Sequence, residues 1–302
     1  MSGGAHFGKG LGANIAARLL WGAGAWYFAL AHTTDDGLLF FHRLLWAVAF
    51  CALMMAASGA LPSLRAVLRD RSKLPSLLCS SLLIASNWYV VIWCIVHGKV
   101  LCASLGFYLA PIGTVMLGHM LTKEGFDRVT RMALLLCAAG VGLIMLSSTG
   151  TIEWQGLYIA ASSVAYVFVR KRTPVPALAA NFLESAIPLA FLLPWMAWRL
   201  WDAGEGIDFW PAGNTPLYFV GIGVATTVPM ILYVYSLDKI PLALVGYLQY
   251  LSPSIMFLLG ITVLHESITP SRTVGFMLVW TSIALHVLRS RLVLSIRSYA
   301  RK

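Results

Sequence analysis

Charge is scarce in this chain of 302 residues: Asp, Glu, Lys and Arg together make up 11%, against about 25% in an ordinary soluble domain. Acidic groups are scarcer than basic ones, 12 against 22. Carboxylates paired at a spacing useful for acid–base chemistry are missing, as are HExxH, CxxC and any phosphate-binding glycine loop, so the common hydrolase, metal and nucleotide signatures are excluded. The five cysteines (Cys51, Cys79, Cys94, Cys102, Cys137) lie in apolar segments without ligand spacing. They read as small packing residues, and neither a metal site nor a cofactor is expected. A net charge of +10 would suit nucleic acid, but the basic residues fall between apolar runs, where they act as an orientation signal.

Apolar residues are what the chain has in quantity, 59% of the total. Runs of the roughly 20 residues needed to cross a bilayer recur from end to end. Breakers at Asp35-Asp36-Gly37, Pro62, His97-Gly98, Ser147 to Gly150, Pro174, Pro176, Pro211 to Pro216 and Pro270 separate them. The pattern predicts an all-α integral membrane protein with ten spans, at 11–31, 38–60, 74–97, 100–121, 130–149, 154–170, 176–200, 216–236, 241–263 and 272–289. Lys9 followed by an apolar run and Ala29-Leu30-Ala31 could imitate a cleaved signal peptide. Its removal would leave an unmatched set of helices, so it is read as a retained first span.

With a cytoplasmic N-terminus, the inside segments hold Lys9, Arg65, Arg69, Arg71, Lys73, Lys123, Arg128, Arg131, Arg170, Lys171, Arg172, Lys239 and the basic residues from Arg289 to Lys302. The outside segments hold only Lys99, Arg199 and Arg272. Both termini are therefore expected in the cytoplasm.

The chain also repeats itself. Tyr108, Leu109, Pro111, Leu117, Gly118 and Glu124 recur at one constant offset as Tyr250, Leu251, Pro253, Leu259, Gly260 and Glu266. A repeat close to half the chain length divides it into five-helix units at 1–150 and 151–302. Because five is odd, the second unit must enter the membrane inverted, the arrangement of secondary transporters with a midplane site between halves. Glu124 and Glu266 fall at helix exits and are expected to tie loops to neighbouring helices.

Ionisable groups inside spans are few and costly. Arg43, with His42, reads either as a cation at a cavity mouth or as a side chain snorkelling to headgroups. Glu184 reads as a buried partner of Arg18 or of helix backbone, with proton coupling, by Glu184 or His42, as the alternative. Arg18 itself is expected to snorkel or pair. Polar and aromatic groups are more plentiful: Asn87-Trp88 and Trp93, Thr226 and Tyr233, Gln249-Tyr250, and Tyr108. Pro111, Pro229 and Pro253 free backbone carbonyls one turn back and are candidate hinges. Such backbone is tolerated in a bilayer only beside protein or a watery cavity, so Tyr108 and Tyr250 are expected to line one. Ordinary helix packing is the alternative for each aromatic. Trp195, Trp198 and Trp201 read as an interfacial belt.

At these residues the chain resembles the RarD family, within the EamA branch of the drug/metabolite transporter superfamily. The matching pieces run in order through Trp21-Gly22, His42-Arg43, Asn87-Trp88, Ile92-Trp93, Ala103 to Phe107 with Pro111, Val169-Arg170-Lys171, Leu183-Glu184, Thr226 to Pro229, and Gln249-Tyr250 with Pro253. The resemblance implies a ten-helix bacterial inner-membrane transporter of inverted repeats with a central cavity for a small organic solute. It also implies working roles for His42, Arg43, Asn87, Glu184 and Gln249. The chain departs from the family pattern at Ala110, where asparagine is usual, at Ser86, and at Arg18, where an uncharged residue is usual.

The expected function is secondary transport of a small amphipathic or amino-acid-like metabolite or drug by alternating access. The expected partners are that solute, the bilayer and a proton as the candidate coupling ion, for a monomer or weak homodimer. The alternative is a polytopic enzyme acting on a lipid or sugar-lipid, for which His32 with Asp35 and Asp36 is the only interfacial cluster.

Overall fold

The structure is a computed structural model that describes residues 2–30, 35–122, 127–146, 154–173, 175–202, 216–237, 239–240, 245 and 248–299. Those residues form eleven helices: α1 Ser2–Ala29, α2 Asp36–Ser58, α3 Leu61–Arg69, α4 Leu74–Val96, α5 Val100–Thr122, α6 Arg128–Leu146, α7 Trp154–Arg172, α8 Ala177–Asp202, α9 Pro216–Leu237, α10 Leu251–Thr262 and α11 Pro270–Tyr299. The chain is an all-helical membrane protein. Among the described residues Asp36–Ser58, Leu74–Val96, Arg128–Leu146, Ala177–Trp201 and Pro216–Ser236 are long and apolar enough to cross a bilayer, and Val100–Thr114 and Leu251–Thr262 are shorter apolar helices.

Two of the expected spans are less apolar for a structural reason. Asn14 and Arg18 dilute α1, and Gln155, Ser162 and Ser163 dilute α7, and several of these groups are used between helices. Asn14 Nδ2 donates to Ser236 Oγ of α9 at 2.8 Å. Asn87 Nδ2 of α4 donates to Ser162 Oγ and Ser163 Oγ of α7 at 2.8 and 3.1 Å. Hydrogen bonds of this kind hold helices together where lipid offers no hydrophobic drive between them.

The short helix α3 was not expected, because Pro62 and the surrounding charges read as a loop. Proline is tolerated in the first turn of a helix, where its missing N–H has no partner to lose, and Pro62 takes that place. Gly59, at φ 67°, ends α2 in the left-handed conformation, with Gly59 N–H donating to Ala56 O and Ala60 N–H to Met55 O at 2.9 Å. That glycine cap turns the chain directly into α3. Val67 of α3 then packs with Leu77 of α4 and Leu183 of α8.

Helix α1 packs against α9 and α10, α2 against α8 and α9, α4 against α7 and α8, α5 against α7 and α10, and α6 against α11. In the last pair a methyl group on Gly140 would lie 2.6 Å from Gly275 O, and one on Gly275 would lie 2.8 Å from Gly140 O. The two backbones therefore touch, as small residues allow in membrane helix pairs. A large apolar cluster includes Phe28, Phe41, Val91, Ile95, Leu189 and Phe219, and a second joins α5, α6, α10 and α11 through Tyr108, Ile144, Phe257 and Phe276. All five cysteines are free; Cys79 is exposed and the other four are buried.

Candidate functional site

A cavity of about 740 Å³ opens between α1, α4, α5, α7, α9 and α10. Of the residues singled out from sequence, Asn87, Trp88, Pro111, Thr226, Tyr233, Gln249, Tyr250 and Pro253 line it. His42, Arg43, Trp93, Tyr108, Glu184 and Pro229 are not in the described lining.

The cavity-lining groups differ in how free their polar atoms are. Asn87 donates to Ile159 O at 2.9 Å as well as to the two α7 serines, so its amide nitrogen is occupied in joining α4 to α7. Thr226 donates back to Ile222 O and Gly223 O of its own helix at 3.0 Å. Gln249 and Tyr250 form a turn ahead of α10, with Tyr250 as the helix cap. Pro253 therefore sits in the first turn of α10, where it breaks no helical hydrogen bond, whereas Pro111 and Pro229 lie inside α5 and α9. The Tyr250 hydroxyl is buried with no hydrogen-bond partner among the described residues.

Arg43 lies just behind the wall. Its guanidinium carbon is 4.1 Å from the Trp88 ring centroid, so a cation–π contact holds it against an indole that does face the cavity. It is buried at 8% exposure and makes no ion pair among the described residues. His42 is fully buried, 4.4 Å from the Phe219 ring. Trp93 stacks on His97 at 4.2 Å, at the far end of α4. Tyr108 donates to Ser254 Oγ at 2.8 Å and so braces α5 against α10.

Glu184 pairs with Arg170, at 3.3 Å from Nε to Oε1, and not with Arg18. It also accepts from Ser80 Oγ at 3.0 Å and from the Tyr166 hydroxyl at 2.9 Å. The reason is packing: α8 lies against α2 and α4, while Arg18 is on α1, which packs against α9 and α10. Arg18 instead faces the cavity, its guanidinium 5.2 Å from Trp21 and 4.8 Å from Tyr233. The sequence carried a signal for this placement, since Arg18 and Trp21 are three apart and share one helix face.

Glu266 accepts from the backbone N–H of Val100 and of Leu101, the latter at 2.9 Å, tying its loop to the start of α5. Its counterpart Glu124 lies outside the described residues, as does His32. Asp35, a second member of that outer cluster, caps α2 through Leu38 N–H at 2.8 Å and pairs with Arg199 at 2.9 Å, and the third, Asp36, lies in the first turn of α2. It serves as a structural turn.

The family model for EamA-like transporters matches residues 154–288. The uncharacterized transporter YojE of Bacillus subtilis is 30% identical over 92% of this chain and 93% of its own length.

The chain belongs to the RarD/EamA transporter family.

Protein RarD of Escherichia coli is 28% identical over 91% of this chain and 92% of its own, and an uncharacterized transporter of Pseudomonas aeruginosa is 29% identical over 93% and 94%. A solved crystal structure superposes with a TM-score of 0.59 at 19% identity, covering 92% of this chain and 97% of that one; the likeness there is one of fold alone. In this RarD/EamA chain the matched region takes in α7, α8, α9 and α10, the source of Ser163, Thr226 and Tyr233 in the cavity wall.

Proposed function

We propose that this chain is an inner-membrane secondary transporter that carries a small organic solute through the central cavity by alternating access. The observation that carries the reading is that both sequence halves build one cavity: α1, α4 and α5 from the first, α7, α9 and α10 from the second. Its volume of about 740 Å³ falls in the range of small-molecule sites, about 300–1,000 Å³.

The helix pairings support two inverted five-helix units, 1–150 and 151–302. Exchange α1, α2, α4, α5 and α6 for α7, α8, α9, α10 and α11 in turn, and the major contacts map onto one another. The α1–α10 pair becomes α7–α5, α1–α9 becomes α7–α4, and α2–α9 becomes α8–α4, while α2–α8, α5–α10 and α6–α11 map onto themselves. A twofold pattern of this kind lets each half adopt the other's conformation and turn the cavity from one side to the other. The basic residues support both termini in the cytoplasm.

Single cysteines at Gly125, Ser267 and Ala110 test the proposal, using a membrane-impermeant maleimide on right-side-out and inverted vesicles. The expected result is labelling of 125 and 267 from opposite faces and of the cavity residue 110 from both. Labelling of 125 and 267 from one face would refute the inverted units, and one-sided access to 110 would refute alternating access.

A further inference from the structure

We propose that Arg18 is the anion-recognition residue of the cavity, so that the solute held there is a small monoanion with an apolar or aromatic body. This rests on the carrier reading and adds the charge of its substrate. The argument begins with imbalance. Among the described lining residues Arg18 is the one charged side chain, and no carboxylate faces the cavity. Among the described residues no ion pair involves Arg18, and its Nε is buried without a hydrogen-bond acceptor.

Trp21 and Tyr233 hold the guanidinium by their ring faces, at 5.2 and 4.8 Å. Ring faces steady a cation, but they leave its Nε without an acceptor, and a buried polar group left in that state is costly. Ser252 Oγ donates to Arg18 O at 3.0 Å, which ties α1 to the start of α10.

A carboxylate answers this cation, since its oxygens accept a guanidinium fork bidentately. An ammonium ligand would meet a fixed cation with no counter-charge, and a neutral one would leave the guanidinium uncompensated. A dianion would need a second cation in the lining. Phe28, Trp88, Phe107 and Met256 face the remaining space and suit an apolar or aromatic body.

The test uses the full chain in phosphatidylcholine nanodiscs and three probes of one shape: 3-phenylpropionate, its amide and 3-phenylpropylamine. Calorimetric titration is expected to show the carboxylate binding about tenfold or more tighter than the amide, the factor a charged hydrogen bond supplies, with the amine weakest. Arg18→Gln should bring carboxylate and amide to equal affinity, and Arg18→Lys should restore part of the difference. Unchanged discrimination in Arg18→Gln, preference for the amine, or no binding of any probe to the wild-type chain would overturn the proposal. Repeating the titration with phosphatidylglycerol separates a soluble anion from a lipid headgroup: an unchanged affinity supports the proposal, and displacement of the probe by the lipid overturns it. Equal affinities together with two-sided labelling at residue 110 would sink the role of Arg18 and leave the carrier standing. Arg18-dependent discrimination with one-sided labelling would do the reverse.

Discussion

The carboxylate of Glu266 accepts the backbone N–H of Leu101 at 2.9 Å, across 165 residues of sequence. Val100 N–H donates to its other oxygen, so one side chain satisfies two of the donors that every helix start leaves open. An anion at that end also complements the helix dipole. The loop before α11 is thereby fastened to α5, the helix that carries Phe107 and Pro111 into the cavity wall.

Replacing Glu266 with alanine should lower the stability of the chain by about 0.5–2 kcal/mol, the usual worth of a helix N-terminal cap. Glu266→Gln keeps an acceptor and should lose less. Thermal unfolding in detergent, followed by tryptophan fluorescence, checks the order wild type, Gln, Ala.

Glu184 is held by Ser80, Tyr166 and Arg170, away from the described cavity lining. Its loss should appear first as instability: Glu184→Ala leaves three partners unanswered and is expected to cost about 1–3 kcal/mol. In vesicles bearing a pH gradient, transport by Glu184→Gln should keep the wild-type dependence on that gradient. A lost dependence with unchanged stability would instead assign the carboxylate to coupling.

Arg43 separates function from stability in the opposite sense. It is buried over Trp88 without an ion pair among the described residues, and a buried cation in that position is costly to keep. Arg43→Met should therefore unfold at no lower temperature than the wild type, while the affinity of the cavity for solute falls as Trp88 loses its support. Unfolding at a clearly lower temperature would make Arg43 a structural residue.

Gly140 and Gly275 make a purely geometric prediction. Because each would drive a Cβ to 2.6–2.8 Å from the other's carbonyl oxygen, Gly140→Val should part α6 from α11 and cost about 1–3 kcal/mol, as overpacking does. Gly142→Val, with nothing within 4 Å of its added Cβ, is the control and should cost much less.

Much of this organisation was legible in the chain. Runs such as Asp36–Ser58 and Leu74–Val96 announce themselves because the bilayer demands long apolar segments. The short helix α3 did not, since Pro62 and four nearby basic residues look like a loop until the glycine cap at Gly59 and the burial of Val67 are seen. The tyrosines of the repeat show a subtler limit. Tyr108 and Tyr250 occupy equivalent places in the sequence, yet one braces α5 on α10 and the other faces the cavity. Sequence fixes position along a helix, whereas the side facing a cavity is set by the rotation that neighbouring helices impose. Arg18 escaped for a related reason: only the packing of α1 on α9 and α10 brings it beside Tyr233.

The thiols have a practical consequence. Four of the five are enclosed between helices and Cys79 alone is open, so a single Cys79→Ala substitution should yield a chain almost silent to spin-label reagents without disturbing its interior. Pairs of nitroxides could then be added on α5 and α10, and the width of the pathway between them followed by electron resonance as solute comes and goes.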